Sequence, residues 1–325
     1  MKAAIIGCGL IGKKRASGLP TNVNLVGCFD SSVGVAEDFA LEFNTEIFAS
    51  IDELLAIADL DMVIIATRHD ALATLSMQAL DAGINVFVEK PGAIDHKSFR
   101  QVAEKLKDKE LLVHVGYNHR FHPALKKAFE LVSENAIGKL MFVRGRYGHG
   151  GRLGYEKEWR ADKAKSGGGE LIDQGTHLLD LSMGLLGNLE LDYAATPNYF
   201  WDMPVEDNAF ISIKNAEGCI AFLQASCTEW KNMFSLEIYG QTGKLDISGL
   251  GRSYGVETLT FHKMLPEMGP PDSETWTFPD PDNSWSLEIE EFVADLVTGT
   301  SNSDNVASSL EVLRIIEEIY VRTGR

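Results

Sequence analysis

The chain has 325 residues and a formal net charge of −17, with 45% hydrophobic and 24% charged residues. This size favours two domains, and the composition is typical of a globular protein. So acidic a chain is not expected to bind nucleic acid, which requires a basic surface, and no apolar run is long enough to predict a membrane span.

The start of the chain predicts no targeting segment. Three glycines, Gly7, Gly9 and Gly12, interrupt the apolar stretch MKAAIIGCGLIG too early for a signal peptide. The four cysteines form no CxxC pair and have no disulfide-framework spacing, so we expect free thiols. We therefore expect a cytoplasmic protein.

The chain begins with a short apolar strand, the glycine turn GCGLIG and the start of a helix. Gly7 permits the tight turn, Gly9 allows the backbone to approach a pyrophosphate, and Gly12 allows the helix to pack closely on the strand. The helix that starts at Leu10 and Ile11 offers unpaired N–H groups to the phosphates. This pattern predicts a dinucleotide site.

The second predicted strand, VNLVGCF, ends at Asp30, eighteen residues after Gly12. An acid at this place suits the ribose hydroxyls of adenosine and repels a 2′-phosphate, which predicts NAD rather than NADP. In the alternative interpretation, Asp30 only caps the helix that starts at Ser31. Ser31 and Ser32 also suit a phosphate, so NADP is disfavoured rather than excluded.

Strands and helices alternate up to about residue 118. Continuous apolar runs at 61–67, 84–90 and 111–118 are typical of buried parallel strands, and residues 70–82 form a predicted helix. This alternation indicates an α/β domain with a doubly wound parallel sheet. In such sheets ligands bind beyond the carboxyl ends of the strands.

Polar residues follow the predicted strands at that edge of the sheet. They are Thr67 and Arg68 after the first run, Glu89 and Lys90 after the second, and Asn118 after the third. We predict that these strand ends line the ligand site and that Thr67, Arg68 and Lys90 contact the cofactor. Lys90 is also a candidate catalytic residue, because it directly follows a run of buried type.

Four motifs in chain order resemble the glucose–fructose oxidoreductase/inositol dehydrogenase family, known as Gfo/Idh/MocA. They are GCGLIG, EKP at 89–91, GYNHRFHP at 116–123 and GGGELIDQGTH at 167–177. EKP together with GGxxxDxGxH is far more specific than the glycine turn alone. One departure is the stretch ATRHDAL, in which Arg68 and Leu72 stand where relatives often have proline and histidine.

The resemblance implies an N-terminal Rossmann domain, placed at 1–121, and a second α/β domain at 122–325 with a large, mostly antiparallel sheet. The C-terminal helix is a candidate to pack back on the first domain. The implied activity is hydride transfer between a nicotinamide and a secondary alcohol or ketone of a sugar, inositol or sugar nucleotide.

The resemblance also implies three catalytic residues, Lys90, Asp173 and His177. His177 is the candidate acid/base, because a neutral imidazole suits proton removal at about pH 7. Asp173, one helical turn earlier, is expected to contact the substrate and tune the imidazole, while Lys90 donates to the reacting oxygen. Glu89 and Asn118 match positions near the nicotinamide and its ribose, and Asn118 is also assigned to the substrate. An ordinary i,i+4 pair is the alternative for Asp173 and His177.

Two further features point to the substrate. The glycines at 167–169 are expected to let the backbone approach a sugar closely. Trp159 and Arg160, in the stretch KEWRAD, are assigned to substrate binding, with anchoring of the loop as the alternative for Trp159.

Residues 139–165 contain eight Lys and Arg residues against three acids, in a chain that is otherwise acidic. Such a stretch suits a diphosphate or a carboxylate, which arginine binds in a bidentate manner. A sugar nucleotide is therefore modestly favoured over a free sugar or inositol as substrate. The alternative is a solvated loop with scattered cations.

Beyond residue 122 the predicted strands become longer. They lie at 141–150, 190–201, 208–214, 219–227 and 234–248. Consecutive strands indicate an antiparallel sheet, and its open face would be buried in a homodimer or homotetramer.

Two other functions of the same fold stay open: an NAD-dependent glycosidase that leaves no net NADH, and an NAD(H)-binding regulator without activity. Intact Lys90, Asp173 and His177 argue against the regulator. No metal site is expected, because the sequence has no HExxH motif, and His119 and His122 lack nearby carboxylates at ligand spacing.

Overall fold

The computed structural model describes residues 1–267, 269–300 and 303–325. They form two compact units: Met1–Tyr117 with Trp285–Glu311, and Asn118–Ser284 with Val312–Arg325. The sequence predicted a domain boundary between residues 121 and 122, four residues after the end of Met1–Tyr117. It also placed the helix that follows Ser284 in the second domain, whereas this helix belongs almost entirely to the first unit.

The first unit is built around a five-stranded parallel sheet with the order β2-β1-β3-β4-β5. The strands are β1 Lys2–Ile6, β2 Asn24–Phe29, β3 Met62–Ile65, β4 Asn85–Glu89 and β5 Val113–Gly116. The helices between them are α1 Leu10–Ser17, α2 Val33–Phe43, α3 Ile51–Leu55, α4 His69–Asp81 and α5 His96–Leu106. The predicted doubly wound parallel sheet is confirmed. Its order reverses between β1 and β3, where ligand sites of such sheets lie.

Arg15, on α1, is completely buried inside the first unit. Its Nε lies 2.6 Å from Glu89 Oε1, its Nη1 lies 2.7 Å from Glu288 Oε2, and its guanidinium packs on the rings of Phe87 and Trp285. Burial raises the pKa of Glu89. Burial also acts to raise the pKa of Glu288, but the neighbouring donors outweigh it and hold that pKa below its usual value. This cluster connects α1 to the end of β4, directly before Lys90.

The second unit is built around an eight-stranded sheet with the order β13-β12-β11-β10-β6-β9-β8-β7. Among the described strands, β6 and β9 pair parallel and the other neighbours pair antiparallel. The elements are α6 Pro123–Ser133, β6 Leu140–Gly148, α7 Lys163–Ser166, α8 Thr176–Leu186, β7 Glu190–Ala195, β8 Asn208–Lys214, β9 Ile220–Ser226, β10 Met233–Gly240, β11 Gly243–Ser248, β12 Glu257–Lys263 and β13 Asp272–Phe278. The predicted large, mostly antiparallel sheet is confirmed.

Two strands of the large sheet were not expected, and two helices end the chain. Neither β12 nor β13 was predicted from the sequence. Of the two, β13 is a largely exposed edge strand without a regular apolar alternation. The chain ends with α9 Ser284–Thr298 and α10 Ser303–Thr323. Within the described part of the chain, no helix is both long and apolar enough to span a bilayer.

The two faces of the large sheet have different environments. On β6, Val143, Gly145 and Tyr147 lie on the buried face, whereas Arg144 and Arg146 lie on the exposed face. A Cβ on Gly145 would lie only 3.1 Å from a leucine of α8, so glycine allows this helix to pack tightly on the buried face. Helix α8 and Tyr147 therefore share one side of the sheet.

Replacing Arg15 with Met should lower the stability of the first unit by about 3–5 kcal/mol, because two carboxylates would stay buried without their cation. Urea unfolding of the full chain measures the effect. Glu42→Gln, which removes only the exposed pair with Lys13, is the control and should leave the unfolding midpoint unchanged. Equal midpoints for the two variants would contradict a stabilising role for the buried cluster.

Candidate active site

The glycine turn after β1 leaves space for a ligand. Gly7 has φ +99°, and a Cβ there would lie 2.5 Å from the Ala66 carbonyl oxygen, while a Cβ on Gly12 would overlap the Gly7 carbonyl. In contrast, a Cβ on Gly9 would meet nothing within 4 Å. Gly9 is also the N-cap of α1 and supplies no side-chain cap to the first helical N–H groups, while Leu10 is 73% exposed. This geometry fits a dinucleotide phosphate at the start of α1.

Asp30 connects the end of β2 to this turn. Its Oδ2 accepts the backbone N–H of Cys8 at 2.9 Å, and its Oδ1 accepts that of Ser32 at 2.9 Å. Each carboxylate oxygen has a second lone pair, so the group can still accept from ribose hydroxyls. Ser31 is exposed beside it. The ribose role of Asp30 and the role of Ser31 stay predictions.

The other residues predicted at the strand ends differ in exposure. Thr67 and Arg68 precede α4, and Arg68 Nη2 lies 3.1 Å from Asp70. Glu89 is 6% exposed and its carboxylate pairs with Arg15, whereas Lys90, the next residue, is partly exposed. The Lys90–Pro91 peptide bond is cis.

In the second unit, the segment that carries Asp173 is not a regular α-helix. Residues Leu171–Gly175 form a π-helical turn, and α8 begins directly afterwards, with His177 in its first turn. The i,i+4 geometry expected from the sequence therefore crosses a change of helix type. Asp173 and His177 are nevertheless both buried, at 6% and 4% exposure. Such π-turns are frequent at functional sites.

Three residues predicted to act on the substrate lie together. Arg160 Nε donates to Asp173 Oδ2 at 2.8 Å, and the Arg160 guanidinium lies over the Trp159 ring at 4.6 Å. The charge of Asp173 raises the pKa of Arg160. The pair therefore keeps a cation and a carboxylate side by side at the start of α8.

Glu206, which we did not identify from the sequence, holds the glycine loop before this turn. Its Oε1 accepts the N–H groups of Gly169 at 3.0 Å and Leu171 at 3.1 Å, and the Tyr320 hydroxyl at 2.8 Å. A Cβ on Gly168 would overlap the Tyr320 hydroxyl, and one on Gly169 would overlap the Glu206 carbonyl. These two glycines are thus required by packing within the protein, while the close approach of a sugar to residues 167–169 stays a prediction.

The imidazole of His177 stacks on that of His119. The ring centroids are 3.7 Å apart and the planes are inclined by 20°, and Tyr147 meets His119 edge-on at 5.0 Å. All three side chains are buried. From the sequence we considered His119 only as a metal ligand, because no local pattern indicates contact between residues so far apart in the chain.

A second buried cluster missed in the sequence is centred on Glu170, which is 1% exposed. The Tyr155 hydroxyl donates to Glu170 Oε1 at 2.6 Å, and His149 Nε2 lies 3.6 Å from the same oxygen. Burial acts to lower the pKa of His149, but Glu170 outweighs it and raises that pKa. The cluster lies next to the π-helical turn, since Glu170 directly precedes Leu171.

The basic stretch 139–165 is largely neutralised by ion pairs. The pairs are Lys139–Glu217, Arg144–Glu237, Arg146–Glu229, Arg152–Glu158, Arg160–Asp173 and Lys165–Asp162. Two of these arginines, on β6, also lie on the sheet face opposite to Tyr147. In residues 1–267, 269–300 and 303–325, no three His, Cys, Asp or Glu side chains are grouped to hold a metal.

Two family models match the chain. Residues 1–117 match a model described as an oxidoreductase family with an NAD-binding Rossmann fold, and residues 125–246 match one described as a Gfo/Idh/MocA C-terminal domain. Together they span roughly three quarters of the chain.

Curated relatives match over part of their length. The chain is 25% identical to levoglucosan dehydrogenase from Pseudarthrobacter phenanthrenivorans over 237 residues, which are 65% of this chain and 60% of the relative. It is 30% identical to scyllo-inositol 2-dehydrogenase (NAD(+)) from Bacillus subtilis over 194 residues, 58% of this chain and 54% of the relative. The match thus spans somewhat more than half of each relative.

A solved structure of levoglucosan dehydrogenase in complex with NADH and L-sorbose is similar over the whole chain. The TM-score is 0.91 at 21% identity, covering 100% of this chain and 97% of the other. At this identity the likeness shows a shared fold.

Gly168→Ala should destabilise the second unit by about 1–3 kcal/mol, because the added methyl group would overlap the Tyr320 hydroxyl. Thermal unfolding measures the loss. Gly34→Ala, on α2, adds a Cβ that meets nothing within 4 Å and serves as the control, which should unfold no earlier than the wild type. A wild-type melting temperature for Gly168→Ala would contradict the packing role of this glycine.

Proposed function

Because this chain belongs to the Gfo/Idh/MocA family of oxidoreductases, we propose that it is an NAD-dependent dehydrogenase acting on a secondary alcohol of a free sugar or polyol. The observation that carries the proposal is the combination of two features in one chain. One is a glycine turn with open space at the start of α1, and the other is a buried imidazole, His177, directly after a π-helical turn.

NAD supplies the hydride acceptor when it is bound. We assign its phosphates to the backbone N–H groups around Gly9, Leu10 and Ile11, and its adenosine ribose to Asp30. The remaining cofactor assignments are the further positions predicted from the sequence, Gly7, Gly12, Ser31, Thr67, Arg68, Glu89, Lys90 and Asn118. Among these, the Glu89 carboxylate is already paired with the buried Arg15. We therefore expect it to support the cofactor site through that pair and not by direct contact.

The proton chemistry is assigned to three side chains. His177 takes the hydroxyl proton of the substrate as the carbon–hydrogen bond gives up hydride, and Lys90 stabilises the developing charge on the same oxygen. Asp173 accepts from Arg160 Nε at 2.8 Å, and this contact fixes the position of its carboxylate before α8. Arg160 has further N–H donors besides Nε, and these suit sugar hydroxyls above the Trp159 ring.

The ion pairs of the stretch 139–165 favour an uncharged substrate. Six of its eight cations face carboxylates of the protein itself, so a diphosphate would have to compete for them. A neutral sugar or polyol needs only hydroxyl-binding groups such as Asp173 and Arg160. We therefore place a free sugar or inositol ahead of a sugar nucleotide, which reverses the preference drawn from the sequence.

We further propose that the chain forms a homodimer or homotetramer through the open face of the large sheet. Ile220 and Phe222 of β9 are 42% and 51% exposed there, and they pair with Phe142 and Arg144 of β6. Apolar side chains grouped on one sheet face are typical of an interface between copies. A cytoplasmic location also stays a prediction.

The proposed function is tested by following NADH formation by its ultraviolet absorbance with NAD⁺ and three panels: free sugars and polyols, nucleotide-diphospho-sugars, and glycosides. We expect activity in the first panel. Lys90→Ala and His177→Ala should each lose at least about 100-fold in turnover and still bind NADH. Activity confined to nucleotide sugars would overturn the substrate class, and cleavage of a glycoside without net NADH would overturn the dehydrogenase itself. Near-normal turnover in either variant would remove that residue from catalysis.

Asp30→Ala should weaken NAD binding about tenfold and NADP binding much less, because the ribose hydroxyl contact is lost only for NAD. Isothermal titration with both cofactors measures the difference. Asp30→Asn keeps an acceptor for the Cys8 N–H and is the control for distortion of the loop. An equal loss for both cofactors in both variants would contradict the ribose contact.

A further inference from the structure

The stack of His119 on His177 covers one face of the imidazole that the proposed function uses as acid/base. The ring centroids are 3.7 Å apart with planes inclined by 20°, and both rings are buried. A ring stacked so closely limits rotation of its neighbour. The inference that follows rests on the proposed function, because it concerns how that base is held.

A chain of hydrogen bonds fixes which ring nitrogen of His119 carries a proton. A carboxylate only accepts, so the Ser284 hydroxyl donates to Asp282 at 2.6 Å, and its oxygen accepts from Asn118 Nδ2 at 2.9 Å. This leaves Asn118 Oδ1 facing His119 Nδ1 at 3.2 Å. Because Oδ1 can only accept, Nδ1 of His119 carries the proton of the neutral ring.

We propose that His119 is a positioning residue, held as a neutral aromatic face against His177, so that the pair carries one proton at most and that proton resides on His177. Like charges at this spacing strongly disfavour a second proton. A neutral ring face, in contrast, stabilises a cation placed over it. His119 therefore favours the charged form of the base without competing for its proton.

The other titratable and charged groups around the stack are already arranged in pairs. These groups are His122 with Glu257, Tyr147 with Tyr254, Arg120 with Asp180, Arg160 with Asp173, and Glu170 with Tyr155 and His149. Each buried acid here has a cation or a donor of its own. The ring of His119, stacked on His177 at 3.7 Å, is therefore a contact whose energy differs between a charged and a neutral His177.

During alcohol oxidation the substrate O–H bond breaks and its proton goes to His177. With NAD bound, its nicotinamide would accept the hydride from the adjacent C–H bond as the C=O bond forms. His177 is then an imidazolium stacked on the neutral ring of His119, which stabilises it until the proton passes to solvent.

Two substitutions of His119 separate a ring face from simple filling of space. His119→Phe keeps a neutral ring, whereas His119→Leu fills similar volume without one. In the pH profile of kcat/KM, we expect His119→Phe to keep the acid limb of the wild type. His119→Leu should move that limb about one unit to lower pH and reduce kcat roughly tenfold, because the imidazolium loses its ring face.

The same shift is measured without substrate by NMR titration of the His177 ring in the free protein. His122→Asn is the matched control, because it keeps a donor for Glu257 next to the stack and should leave the titration of His177 in place. Wild-type profiles for His119→Leu would overturn the proposal, and so would a shift in His119→Phe equal to that in His119→Leu. If no compound is oxidised, the proposed function fails, while the NMR titration still decides on the stack.

Discussion

The candidate site depends first on a buried carboxylate, Glu206, which binds the start of the π-helical turn. It accepts two backbone N–H groups, from Gly169 and Leu171, and the hydroxyl of Tyr320. Burial raises the pKa of Glu206, and these three donors oppose that rise by stabilising the charged form. The backbone is thereby fixed two residues before Asp173, so that the side chains of the turn and of α8 start from a set position. The partner of Arg160 lies in this turn and one of the stacked histidines lies on α8, so both contacts depend on this anchor.

The two glycine-rich segments look alike in sequence but differ in what surrounds their glycines. After β1, the missing side chain of Gly9 faces open space at the start of a helix, which is what a bound phosphate requires. Before α8, the space beside Gly168 and Gly169 is filled by Tyr320 and by the backbone of Glu206. The first segment therefore leaves room beside the start of α1, whereas the second is closed by contacts within the protein.

The parts of this arrangement that could be predicted from sequence are local. Parallel strands such as β3 are continuous apolar runs, and the glycine turn, Lys90 and the Asp173 segment are short motifs. Contacts between distant residues could not be predicted in this way. Arg144 pairs with Glu237 on another strand, so the basic stretch appeared uncompensated when read alone. Likewise, His119 contacts His177 only because the fold brings a short 3₁₀ turn beside α8, and the π-turn alters a spacing that an α-helix would have explained.

The central claim is that hydride passes between a substrate carbon and the nicotinamide. The most direct measurement is NMR of NADH recovered after incubation with NAD⁺ and a sugar or polyol deuterated at its carbinol carbons. We predict one deuterium at C4 of the nicotinamide for each molecule of ketone formed. Product formation with only protium at that carbon would contradict direct hydride transfer, and so would recovery of unreduced NAD⁺ together with an altered substrate.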